Sequence, residues 1–158
     1  KAYMNDGGAK GKELADKYVA AVEKFDADYE KFNETLNKVN AEQSKKQIEK
    51  LKKDGKKGYA AAMESTLRLT ELVDKLEKAP QNADKAAVEK ELSEIEALLK
   101  SINNDRGQVL ADRYNSVVGD VRQVLADPSD NNLNNMIEGF NGYIDTYNST
   151  TPDQFDAK

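Results

Sequence analysis

The chain has no histidine, no cysteine and no tryptophan. Those absences remove much of the chemistry that side chains perform near neutral pH. Zinc sites built from His and Cys, and iron–sulfur clusters, have no ligands. Ser-His-Asp and Cys-His nucleophile systems have no base, and di-iron sites of the Glu-x-x-His type are excluded as well. Without cysteine there is no disulfide, which suits either redox compartment. Only 3 prolines and 9 glycines punctuate 158 residues, aromatic residues are 7%, and strict period-2 runs are missing. Long helices are therefore favoured over strands. No run of 18 apolar residues exists, so no segment reads as a spanning helix, and no signal peptide is present. A basic excess is missing too. Residues 1–78 carry 17 basic and 15 acidic side chains, and residues 79–158 carry 7 and 14, for a net charge of −5. Neither part resembles a nucleic-acid binder.

What is present is helical periodicity. Tyr18, Val22, Phe25, Tyr29, Phe32, Leu36 and Val39 recur at spacings of 4, 3, 4, 3, 4 and 3. That spacing lays one narrow apolar seam along a long helix, and such a seam is made to pack on other helices. Phe25, Phe32 and Leu36 are accordingly expected in the core. The apolar phase slips between Val39 and Ile48, and Asn40-Ala-Glu-Gln43 reads as a capping box. A break near 40–44 is expected, with the two-glycine stretch Asp54–Gly58 as the alternative.

A second helix carries Tyr59, Met63, Leu69, Leu72, Val73 and Leu76 and stops before Pro80. A third starts near Asp84 with Val88, Leu92, Ile95, Leu99 and Ile102 on one face. After the cap at Asn103–Asp105, a fourth carries Val109, Leu110, Tyr114, Val117, Val121 and Val124. A fifth starts at Ser129 or Asp130 with Leu133, Met136, Phe140, Ile144 and Tyr147. Residues 149–158 read as a polar tail. The expected fold is all-α: one domain over 1–158, an up-and-down bundle of long antiparallel helices.

Several charged and polar groupings invite chemistry. Seven lysines, Lys45, Lys46, Lys50, Lys52, Lys53, Lys56 and Lys57, fall within thirteen residues. An anionic surface is one use for them. A solvated face balanced by Glu42, Glu49 and Asp54 is the preferred reading. Glu89, Glu91, Glu94 and Glu96 suggest a divalent cation, but one helix face rarely supplies converging oxygens. Asp127, Ser129 and Asn131, with Glu138 in twelfth place, mimic a calcium loop. Asn132 stands where glycine is needed, and a turn with an N-cap explains the same residues. Gly11-Lys12 lacks the rest of a phosphate loop. Asn33-Glu-Thr35 and Asn148-Ser-Thr150 match the glycosylation pattern, a frequent coincidence. The aromatics Tyr18, Phe25, Tyr29, Phe32, Tyr59, Tyr114, Phe140, Tyr143 and Tyr147 are read as core with a wet hydroxyl rim, a ligand pocket between the tyrosines being the alternative. No catalytic residue, cofactor site or metal ligand is assigned.

Three segments carry a family resemblance: Gly11–Phe25 (GKELADKYVAAVEKF), Lys53–Lys57 (KDGKK) ahead of an apolar helix, and Phe140–Asn148 (FNGYIDTYN). Their order and spacing resemble the C-terminal portion of the YiiG-like family of uncharacterised bacterial lipoproteins. The resemblance implies an α-helical envelope protein with no known activity and no catalytic residues to transfer. The chain opens at Lys1 rather than Met, so it is read as the C-terminal part of a longer, processed precursor. A lipid-bearing cysteine would lie upstream, and that anchor would be the chain's link to the membrane. The expected function is a non-catalytic envelope lipoprotein domain that binds a partner or supports structure. The alternative is a small-ligand or metal-binding helical module. A packed bundle with an exposed apolar strip favours the first, and an enclosed pocket with converging polar groups favours the second.

Overall fold

The computed structural model describes residues 8–157, giving the backbone alone at 8–13, 25–27, 29–30, 33–34 and 36–37. Among the described residues there are five α-helices and no strand: α1 (Gly8–Lys53), α2 (Lys57–Lys78), α3 (Lys85–Lys100), α4 (Asp105–Ala126) and α5 (Asp130–Ser149). Short 3-10 turns occupy Pro80–Asn82 and Pro152–Asp156. The chain divides into two units, Lys1–Gln43 and Ser44–Lys158.

The helix ends follow local chemistry. The expected break at 40–44 does not occur, because α1 continues to Lys53. The change of apolar phase there is a change of helix face rather than an interruption. Ala41, Ser44, Ile48 and Leu51 are sheltered, Ile48 fully. The stop lies at the alternative position. Gly55 has φ +81°, Lys56 N–H donates to Leu51 O at 2.9 Å, and Gly55 N–H donates to Lys52 O at 3.2 Å. This bond pair is the Schellman closure, which requires a left-handed residue that glycine adopts without strain. Ala79 ends α2 before Pro80. Asp84, Asn104 and Ser129 cap α3, α4 and α5 by accepting from first-turn backbone N–H groups.

In the second unit α2, α3, α4 and α5 pack as an up-and-down bundle, each on its chain neighbour and α5 back on α2. Leu69, Leu72, Val73 and Leu76 meet Val88, Leu92, Ile95 and Leu99, then Leu110, Val117, Val121 and Val124, with Met136 and Tyr143 from α5. Large apolar side chains buried this fully contribute about 1.5–3 kcal/mol each. Among the described residues no buried side-chain polar atom lacks a partner.

The segment read as a polar tail folds back and closes one end of the bundle. Phe155 is 2% exposed and stacks with Tyr59 and Tyr147, ring centroids 6.2 and 6.1 Å away. Asp156 accepts from the N–H groups of Gly58 (2.6 Å) and Tyr59 (3.1 Å), supplying α2 with the cap that Lys56 cannot. The Asn104 side chain donates to the carbonyls of Gln154, Phe155 and Ala157. The approach is close enough that a Cβ on Gly58 would lie 2.0 Å from the Phe155 carbonyl oxygen. Phe155→Ala is therefore expected to cost about 3–5 kcal/mol in urea unfolding. A variant within 1 kcal/mol of wild type, on the order of the smallest core truncations, would show that this closure contributes little.

Candidate interaction surfaces

The described seam residues of α1 are exposed. Tyr18 and Phe32 are 64% and 62% exposed, and Val22 and Val39 are exposed with them. Leu14 and Val19 widen the strip at its start. The expectation that Tyr18 and Phe32 are core is thus overturned. Phe25, Tyr29 and Leu36 lie outside the described side chains. The physical reason is that seam spacing specifies a helical partner but not one from the same chain. Among the described residues Val109 is the one large exposed apolar side chain outside α1. Beside the seam stand the exposed acids Asp28 and Glu42, and the helix's lysines recur one heptad apart at Lys17, Lys24, Lys31 and Lys38.

All seven lysines between Lys45 and Lys57 are exposed. Lys45, Lys46, Lys50 and Lys53 surround Glu49 on one face of α1. Lys52 pairs with Glu49 at 3.4 Å and Glu64 at 3.6 Å, and Lys56 with Asp153 at 3.8 Å. Exposed pairs of this length are worth little.

An open groove of about 610 Å³ lies between α2 and α3. Leu72, Leu76, Ala83, Ala87 and Val88 are among its lining, with Arg68 and Glu91 at its edge. Arg68 holds Glu91 through two bonds of 2.7 and 2.8 Å and also bonds Glu94. Arg122 of α4 holds Glu89 through bonds of 3.0 and 3.1 Å, and Lys100 pairs with Glu96 at 3.0 Å. The four glutamates therefore diverge onto three different cations instead of converging. The Arg68 hydrogen bonds hold the Glu91 carboxyl below its ordinary range, and Arg122 does the same for Glu89. Paired, depressed carboxylates are weak bases. Asp120 moves the other way, raised first by burial and then by the nearby Glu138. It packs against Gly139, where a Cβ would lie 2.6 Å from its Oδ2.

Asp127–Glu138 forms a turn and a helix start. The Ser129 hydroxyl accepts from Asn132 N–H at 3.2 Å, and the Asn132 side chain donates to Asp127 O at 2.8 Å. Among the described residues no three acidic side chains group as a metal site would require. The buried tyrosines take internal partners. Tyr114 donates to the Leu92 carbonyl, and the Tyr143 hydroxyl lies 3.0 Å from Thr66 Oγ1. Burial raises both phenols above their ordinary range, the Thr66 bond opposing this at Tyr143. Sequence reasoning placed Tyr143 in the core, but it missed Phe155 and Asp156. The signal for them was Thr151-Pro152-Asp153-Gln154, a capping box with proline in the first turn.

Residues 1–126 match the model of a family described as "Protein of unknown function (DUF3829)". No curated protein and no solved structure matches the chain.

Two outcomes follow from the charged groups. Glu91 has a depressed pKa, so its ion pair stabilises the fold above the ordinary carboxylate range and is lost as pH falls through the depressed value. Arg68→Met should lower stability by about 1 kcal/mol at neutral pH, discounted for partial exposure. In urea titrations that difference should vanish in acid, and a difference independent of pH would contradict the assignment. The lysine face should not retain the chain on anionic vesicles at physiological ionic strength, where screening acts within about 8 Å. Co-sedimentation that persists there and disappears when Lys50 and Lys53 become Gln would make that face a binding surface.

Proposed function

This chain belongs to the DUF3829 family, and we propose that it is a non-catalytic domain of an envelope lipoprotein that works by contact with a partner. The observation that carries this reading is the exposed apolar strip on α1, Leu14 to Val39, in a molecule whose α2–α5 core is filled by its own side chains. Isolated exposed apolar residues are ordinary, but six on one helix, four of them in one seam register, mark an interaction site. The groove between α2 and α3 is open, and Arg68 and Glu91 at its edge are engaged with each other. That arrangement favours contact over the enclosed ligand site of the alternative. The envelope location and the lipid anchor rest on the YiiG-like resemblance of residues 11–25, 53–57 and 140–148.

The test uses the native gene product with whatever precedes Lys1. A photo-crosslinking residue is introduced at Val22 or Phe32 and, as a control, at the exposed Lys90 on α3. After irradiation of intact cells, adducts are expected at the two seam positions and not at the control. Fatty-acid labelling and an envelope fractionation profile are expected for the same product. Absence of seam adducts overturns the contact reading, and an unlabelled, non-envelope product overturns the lipoprotein reading.

A further inference from the structure

We infer that the α1 seam pairs with the α1 seam of a second copy of this chain, forming a two-stranded coiled coil. This deepens the contact reading above and rests on it. Three observations point to a second copy as the occupant of the seam.

The first is period. The exposed positions Tyr18, Val22, Phe32 and Val39 belong to a strict alternation of 3 and 4 that runs across three heptads. A helix repeating at 3.5 residues presents a straight edge only to another helix with the same repeat. Each copy carries one such edge, and a two-fold axis makes the edge its own complement.

The second is area. The six exposed apolar side chains from Leu14 to Val39 are 41–64% exposed. Tyr18 and Phe32 are aromatic side chains of the kind that bury 150–250 Å² each, and complete cover of these two with the four aliphatic side chains removes at most roughly 600 Å² per copy. The pair then buries up to roughly 1,200 Å², above the roughly 1,000 Å² that separates specific interfaces from incidental contacts.

The third is what the rest of the surface lacks. Outside α1, among the described residues, Val109 is the sole large exposed apolar side chain, so the bundle of a second copy offers the seam no matching strip. An anionic bilayer is a poorer occupant. Such a surface selects apolar stripes with lysine on the polar face and a basic balance. Here Asp28 and Glu42 flank the seam, and residues 14–43 carry seven acidic side chains against four lysines.

The experiment is sedimentation equilibrium of the whole chain over a micromolar concentration series. Wild type is expected to be a dimer with a measurable dissociation at the dilute end. The double variant V22S/F32S is expected to weaken dimerisation by roughly a hundredfold or more, two central apolar anchors being lost. Its helical signal and the unfolding of the α2–α5 bundle in dilute solution are expected to be unchanged, which separates lost pairing from lost folding. A single-site variant, Val39→Ser, should give an intermediate dimer constant. A wild-type chain that stays monomeric throughout the series overturns the inference. So does dimerisation that the seam variants leave intact. The mass of the cellular cross-link separates this inference from the broader reading. An adduct of twice the product's mass supports self-pairing. An adduct to another protein overturns self-pairing and leaves the contact reading standing. Absence of any adduct removes the contact reading itself.

Discussion

The α2–α5 bundle depends on one closure. Phe155 sits between the rings of Tyr59 and Tyr147, and the backbone around it is gripped by Asn104 and by the start of α2. Three junctions meet at that point: the beginning of α2, the turn between α3 and α4, and the end of α5. A four-helix bundle joined by short turns has its helices tied in pairs. Here the last residues tie the first helix of the bundle to the last. The same contact supplies the missing acceptor for the N-terminus of α2, where Lys56 offers no capping oxygen. The two requirements, an apolar plug and a carboxylate cap, are met by adjacent residues, Phe155 and Asp156.

That closure has a consequence for function. With its ends tied and its stripes mutually buried, the bundle presents one large exposed apolar side chain, Val109, and no unpartnered buried polar side chain among the described residues. Glu89 and Glu91 are drawn into arginine pairs that stabilise their charged forms, which makes them weak bases. Among the described residues the large exposed apolar side chains lie on α1, with Val109 of α4 the exception.

Much of the fold was legible in the sequence, for identifiable reasons. Pro80, Asp84, Asn104 and Ser129 stop or start helices through local bonds that depend on a few neighbouring residues, so their effect can be read directly. The stripes through Leu92, Ile95 and Leu99, and through Tyr114, Val117 and Val121, keep helical spacing and are buried. Two features were not legible. The slip between Val39 and Ile48 signals a change of face, and a change of face looks the same in sequence whether the helix breaks or continues. Gly55 was the better stop because only a left-handed residue completes the end bonds found there. The other is partner identity. The seam from Tyr18 to Val39 encodes a demand for a helical neighbour but not which molecule supplies it, so Phe32 was expected inside and lies outside. Phe155, alone among polar residues, had no periodicity to announce it, and the capping box before it was the one local sign.

The central claim is that the α2–α5 core is closed while the α1 seam is open. The natural absence of cysteine allows a direct measurement with single-cysteine variants. Val22→Cys and Phe32→Cys report the seam, and Leu69→Cys and Val117→Cys report the core. In protein diluted below its self-association, maleimide should label the first two at the rate of a free thiol and the last two only after denaturant is added. Seam thiols protected as strongly as the core thiols in dilute, folded protein would contradict the account.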